Sequence, residues 1–195
     1  MSGRLIEIHA KPQSSRRSFL QGSGVMLSGS AIALLAGCQS LSAAEKKNDG
    51  STANDVTVLN SALAAEHQGI AAYQVGAESG LLQKPVLNLA VQFQGHHKAH
   101  ADLLAATIKQ LGGTPVAALS RYDFPVEKLK TQADVLRFAA ELERGAVSAY
   151  LGAVPLFGNR DLAKAAASIL GDEAMHWAVL RQALGEDPVP NAFVG

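Results

Sequence analysis

Ionisable and phenolic side chains interrupt four apolar stripes of this sequence at helical spacing. The first stripe runs Leu59, Leu63, Glu66, Ile70, Tyr73 and Ala77. The third runs Leu136, Ala140, Glu143, Val147, Tyr150 and Val154, in the same steps of four and three. The second holds Phe93, His97, His100 and Leu104, and the fourth holds Ile169, Glu173, His176 and Leu180. Such a stripe is the buried seam of an amphipathic helix. A carboxylate buried there without a partner costs several kcal/mol or shifts its pKa. Glu66, His97, His100, Glu143, Glu173 and His176, gathered at one level of a bundle, therefore need a cation or one another. Carboxylate oxygen and imidazole nitrogen both ligate transition metals, so a metal site is the first expectation. The alternative is a metal-free bundle in which protonated histidines bridge the carboxylates, a structural or stress-associated protein with a vestigial site.

The elements that must position these groups read as four helices, an all-α domain. Ala, Leu, Glu and Gln are abundant, and no alternating strand pattern stands out. The first helix is expected over 55–78, with Gly80 as its stop. Pro85 opens the second, and Gly112 and Gly113 close it. Thr131, with Asp134 three residues on, is a candidate N-cap for the third, which Pro155 ends or kinks. The fourth follows Asn159 and stops at Gly185.

Helices one and two are joined by a few residues, as are three and four, so each pair forms an antiparallel hairpin. The connection over 113–130 is longer. A helix of about 27 residues spans roughly 40 Å, and an extended connection of about 18 residues reaches roughly 60 Å. It can cross the whole bundle and start helix three parallel to helix two. The halves also resemble each other: the stretch from Leu59 to Tyr73 aligns with that from Leu136 to Tyr150 at an offset of 77. Gly95, His97 and His100 align with Gly171, Glu173 and His176 at an offset of 76. Two copies of one hairpin close a core that neither closes alone.

Of the 195 residues, 55–195 are assigned to the bundle, 39–54 to a flexible tether rich in Ser, Ala, Lys and Asn, and 1–38 to a leader. Formal net charge is zero, and nothing suggests a nucleic-acid partner. The one cysteine, Cys38, lies in the leader. Neither a disulfide nor cysteine ligation is therefore available within the bundle.

Ser15, Arg16, Arg17, Ser18, Phe19 and Leu20 resemble a twin-arginine export signal, and Leu35-Ala36-Gly37-Cys38 resembles a bacterial lipobox. These resemblances imply passage through the twin-arginine export machinery, a periplasmic address in the cell envelope, and a lipid anchor on Cys38 that ties the protein to a membrane. Cleavage after Ala44 with release of a soluble protein is the alternative. The twin-arginine route exports proteins already folded, often with a cofactor loaded, which fits a metal acquired in the cytoplasm.

Over 55–185 the chain resembles the ferritin-like superfamily, whose di-metal site takes a Glu from each of two helices and a Glu-x-x-His from each of the other two. Glu66 and Glu143 match the single glutamates, and Glu173 with His176 matches one Glu-x-x-His. In the other, His100 matches and His97 stands where glutamate is expected. The resemblance implies a four-helix bundle of two hairpins with one long crossover between helices two and three. It also implies a di-iron or manganese site, with oxidase, ferroxidase or peroxide chemistry. A homo-oligomer is compatible with it.

Residues three apart lie about 60° apart on a helix and one turn up, so both can reach one metal cluster. Tyr73 and Tyr150, seven residues beyond their glutamates, fall nearly in line with them, as hydrogen-bond donors or redox neighbours. With His97 for glutamate, three carboxylates face two divalent cations. The second ion is then held less tightly, a mononuclear or lopsided site is an alternative, and zinc competes better. His67 and His96 fall off the seam and read as surface or packing groups, although His96 and His100 are four apart and offer a rival pair.

Overall fold

The computed structural model describes residues 49–194. Arg16, Arg17 and Cys38, with the export and lipid motifs they belong to, lie outside the described residues. Four long helices follow one another: α1 (Asp49–Glu78), α2 (Lys84–Gln110), α3 (Gln132–Ala153) and α4 (Arg160–Ala183). Two short 3-10 turns, Val126–Lys128 and Val154–Leu156, precede and follow α3. Among the described residues there is no strand, and none of their helices is long and apolar enough to cross a membrane.

The helix ends follow from local chemistry. A proline in its first turn opens α2. Thr131 and Asp134 form a reciprocal capping box at the start of α3. The Asn159 side chain accepts a hydrogen bond from the Asp161 amide at 2.8 Å at the start of α4. Just past α2 and α4, Gly112 (φ 79°) and Gly185 (φ 76°) take the left-handed conformation that ends a helix cheaply only at glycine.

One boundary differs from expectation. The first helix begins at Asp49, so 49–54, read as the end of the tether, is helical. Its first turns are held by distant partners. The Asn54 side-chain amide donates to the Leu156 carbonyl at 2.8 Å. The buried Asp55 carboxylate accepts from the backbone amides of Gly158 (2.7 Å) and Asn159 (3.2 Å). These bonds are non-local, so a tether-like composition does not disclose them.

Two apolar clusters fix the directions of the helices. One joins Leu59 and Leu63, early in α1, to Leu104 and Ile108, late in α2, with Tyr150 late in α3 and Leu162 early in α4. The other joins Tyr73, late in α1, to Ala90 and Phe93, early in α2, with Leu136 early in α3 and Leu180 late in α4. Hence α1 runs antiparallel to α2 and α3, and α2 runs parallel to α3. The 113–130 connection must then travel the length of the bundle, as its reach allows. It leaves near the start of α1, where the Asn60 side chain donates to the Thr114 carbonyl (3.2 Å) and accepts from the Val116 amide (2.7 Å). It arrives at the other end, where Gln132 Oε1 accepts from the Gln83 amide at 2.8 Å. Two hairpins joined by one long crossover is the expected topology. Leu63 and Ile108 are fully buried, and each such side chain contributes about 1.5–3 kcal/mol of apolar burial. The ionisable layer lies between the two clusters.

Candidate metal centre

Each helix delivers its polar seam residues to this layer from the face that the apolar clusters turn inward. Glu66 (2% exposed), His97 (4%), Glu143 (1%), Glu173 (0%) and His176 (1%) are buried. The side chain of His100 keeps 14% of its exposure. All six expected residues come together, in two overlapping sets. Glu66, His97, His100 and Glu173 each offer a ligand atom within 4.8 Å of the others, and so do His97, Glu143, Glu173 and His176. His97 and Glu173 belong to both sets.

The His97 ring spans the two halves. Its Nδ1 lies 2.8 Å from Glu66 Oε2, and its Nε2 lies 3.4 Å from Glu143 Oε1. Nδ1 of His100 lies 3.1 Å from Glu173 Oε1 and 3.6 Å from Glu66 Oε2. Nδ1 of His176 lies 3.2 Å from Glu173 Oε2 and 3.3 Å from Glu143 Oε1. The tyrosines clasp across the hairpins. Tyr73 of α1 donates to Glu143 of α3, and Tyr150 of α3 donates to Glu66 of α1 at 2.5 Å.

Among the described residues, three buried atoms of this centre lack a hydrogen-bond partner: His100 Nδ1, Glu143 Oε2 and Glu173 Oε1. His100 Nδ1 and Glu173 Oε1 approach to 3.1 Å without the alignment a hydrogen bond needs. Leaving such atoms unpaired costs about 1–3 kcal/mol each. A cation between them would satisfy both, so the donor set fits a metal ion.

The buried imidazoles and glutamates also support one another's charges without one. Burial opposes a charged imidazole, yet the hydrogen bonds of His97 to Glu143 and Glu66, and nearby carboxylate charge, keep it protonated up to about 10. Against the same burial, Asp172, Glu173 and Glu66 raise His100 to about 11. Glu143 and Glu173 raise His176 to about 9. Burial would favour a neutral Glu143, but hydrogen bonds from His176 and His97 bring it down to about 2. Glu66 is lowered against its burial by His100 and His97. Burial, then the adjacent glutamate charge, pushes both tyrosine hydroxyls up, so they stay phenolic donors.

A cavity of about 310 Å³ opens between α1 and α3 onto Glu66, His97, Glu143 and Tyr73. Its wall also includes the small residues Ala65, Gly69, Gly145 and Ala149, beside the larger Gln68, Glu141 and Leu142.

Several residues near the centre were not anticipated as parts of it. The Cβ that Gly69 lacks would stand 3.1 Å from His97 Nδ1 and Cε1, so the glycine makes room for the ring. His96, expected to be off the seam, does not pair with His100 along α2. Its Nδ1 lies 2.8 Å from His176 Nε2 and 3.2 Å from Asp172 Oδ2. The repeat carries a signal for this: His96 and Asp172 occupy equivalent places, each four residues before a seam histidine. His67 lies away from the centre, with Nε2 3.3 Å from the Val116 carbonyl on the crossover.

The family model described as "Ferritin-like domain" matches residues 54–186. No curated protein matches the chain. Among solved structures, a conserved hypothetical protein from Mycobacterium tuberculosis is similar at 26% identity and a TM-score of 0.63, over 75% of this chain and 99% of that one. A ferritin-like, diiron-carboxylate protein from Bacillus anthracis str. Ames is similar at 22% identity and a TM-score of 0.61, over 70% and 99%. The dodecameric thioferritin of Bacteroides fragilis, a bacterioferritin-related protein, is similar at 22% identity and a TM-score of 0.60, over 80% and 92%.

Proposed function

This chain belongs to the ferritin-like domain family, and on that premise we propose that it is an exported protein that binds a pair of transition-metal ions, iron or manganese first, in its core. The observation that carries the reading is the pair of ligand sets sharing His97 and Glu173, with His100 Nδ1, Glu143 Oε2 and Glu173 Oε1 left without hydrogen bonds. The diiron-carboxylate description of the Bacillus anthracis protein supports iron.

Glu66 and His100 would hold one ion and Glu143 and His176 the other, with Glu173 and His97 between them. Bound there, a redox-active pair supplies the electron changes that dioxygen or peroxide chemistry requires. The protein's own part is positional. Tyr150 and Tyr73 hold Glu66 and Glu143 from the far hairpin, fixing one oxygen of each carboxylate so that the other is free to ligate. The cavity between α1 and α3 gives a small molecule access to the Glu66–Glu143 edge. His97 contributes no negative charge, so three carboxylates face up to four positive charges. One ion is then held more weakly than its neighbour, and zinc competes for the tighter position.

Anaerobic Fe(II) titration followed by exposure to air tests the reading. Uptake of more than one ion per chain, then oxygen consumption faster than in buffer, is the expected result. Uptake without oxygen consumption reduces the function to metal binding. No uptake of iron, manganese or zinc leaves the metal-free bundle, whose histidines and glutamates neutralise each other.

Export and anchoring rest on Arg16-Arg17 and on the Leu35–Cys38 motif. Replacing both arginines with lysine is expected to retain the protein in the cytoplasm. Cys38→Ala is expected to move it from the membrane to the soluble envelope fraction. Mass measurement of the purified protein distinguishes a monomer from a closed assembly of copies.

A further inference from the structure

Beside the inner centre lies a constellation that shares only His176 with it. His96 on α2 and Asp172 and His176 on α4 present three ligand atoms, His96 Nδ1, Asp172 Oδ2 and His176 Nε2. Their separations are 2.8, 3.2 and 3.3 Å. Three ligands about 2.1 Å from one metal ion lie about 3.0 Å apart on an octahedral face and about 3.4 Å apart on a tetrahedral one. The observed triangle has that size. Two imidazoles and one carboxylate on one face, with the opposite positions open, are a recognised donor set for Fe(II) and for zinc.

The triangle also sits at the boundary between solvent and core. The His96 side chain is 38% exposed and Asp172 is 25% exposed, whereas His176 is 2% exposed. His176 faces both ways: Nε2 points to His96 and Asp172, and Nδ1 to Glu143 and Glu173. Phe93 stacks on its ring with centroids 4.0 Å apart, which holds the plane of the ring. Asp172 Oδ2 is also 3.4 Å from Nε2 of His100, so the same carboxylate backs two of the three inner imidazoles, His100 and His176.

We propose that His96, Asp172 and the outward nitrogen of His176 form a second cation site, on the α2–α4 side of the bundle, that captures a divalent transition-metal ion from solvent and delivers it to the inner centre. A neutral imidazole has one nitrogen lone pair. His176 therefore serves the outer ion through Nε2, with the proton on Nδ1 held in a hydrogen bond to Glu143 or Glu173. To serve the inner ion through Nδ1, it gives that proton up to solvent by way of those carboxylates and takes one at Nε2 from water at the partly exposed Asp172. An ion passing inward exchanges one nitrogen of this ring for the other. Capture at the outer site stands on its own geometry; only delivery rests on the inner centre being a metal site.

The test uses Zn(II) binding and Co(II) spectroscopy on the full chain. In the Glu143→Gln/Glu173→Gln variant, with folding checked by circular dichroism, one zinc ion per chain is expected to remain bound. Adding His96→Gln is expected to weaken it roughly tenfold or more. In an otherwise unaltered chain, His96→Gln is expected to slow the appearance of the inner Co(II) spectrum by a similar factor. A double variant that binds no zinc, or binds it equally well without His96, overturns capture. Unchanged Co(II) loading in the single variant overturns delivery. A chain that takes up one ion only, and loses it with His96→Gln, keeps the outer site and rejects the inner one. If the double variant misfolds, anomalous scattering from a zinc-soaked crystal of the unaltered chain decides, by a peak or its absence between His96 and Asp172.

Discussion

Gly69 and His97 are fitted to each other: a Cβ at position 69 would meet Nδ1 and Cε1 of the imidazole at 3.1 Å. The repeat-related position is Ala146, three residues after Glu143 as Gly69 is three after Glu66. The glycine thus stands in the half of the repeat whose ring takes the place of the expected carboxylate. Glycine inside a helix costs about 0.5–1 kcal/mol relative to alanine, and room for the ring is a physical reason to bear it.

Gly69→Ala would stabilise α1 if the space were free. It is expected instead to displace the His97 ring and lower metal affinity roughly tenfold, the size of effect seen when the support of a ligand is disturbed. In a His97→Glu background the more flexible side chain yields, and Gly69→Ala is expected to leave affinity unchanged while His97→Glu itself tightens the weaker ion. Equal losses in both backgrounds, read by competition with a chelator, would show that ring and glycine are uncoupled.

The two tyrosine bonds join α1 to α3 in reciprocal fashion. Tyr73→Phe and Tyr150→Phe each remove a donor from a buried carboxylate. Each is expected to cost about 1.5–3 kcal/mol in urea denaturation, the range for hydrogen bonds to charged groups. A change within about 0.5 kcal/mol for either would mean that its glutamate finds another partner, as surface-like substitutions do.

Asp55 offers a control remote from the centre. It holds the turn before α4 through the Gly158 and Asn159 amides. Asp55→Ala is expected to cost about 1–3 kcal/mol by leaving those amides without their acceptor. Metal stoichiometry should be untouched, and parallel loss of metal would link this end of the bundle to the site.

The metal-free protein should respond to pH in a definite sense. His97, His100 and His176 are raised from 6.5 to about 10, 11 and 9. Their contribution to stability is complete below about 6.5 and is lost as pH rises through 9 to 11. Glu143 is lowered from 4.5 to about 2, so its contribution is present above 4.5 and lost as pH falls toward 2. Chelator-treated protein is therefore expected to be most stable near pH 5 to 6 and to weaken steadily above about pH 6.5. Metal binding runs the other way, since each histidine must give up its proton to ligate. Proton release on loading in weak buffer checks this, and stability that is flat from pH 6 to 10 would contradict the charged network.

Much of this was legible in the chain because the informative signals are periodic and local. The seam from Leu59 to Tyr73 and its copy from Leu136 to Tyr150 fix two helices and their inner faces, and the length of 113–130 selects the crossover. The Thr131–Asp134 capping box is a contact between near neighbours. What escaped depends on helices meeting. His96 lies on the flank of its own helix and joins the site only because α4 brings Asp172 and His176 against it. Gly69 carries no chemistry and matters only through the ring that fills its space. The early start of α1 depends on Asn54 and Asp55 finding partners about a hundred residues away.

The central claim is that six side chains from four helices hold metal between them. Anomalous scattering at the iron edge, from crystals of the full bundle grown anaerobically with Fe(II), tests it most directly. The expected result is one peak among Glu66, His100 and Glu173 and a second among Glu143, His176 and Glu173, with His97 between. Crystals in which neither position scatters, and the six side chains keep their contacts with one another, would contradict it.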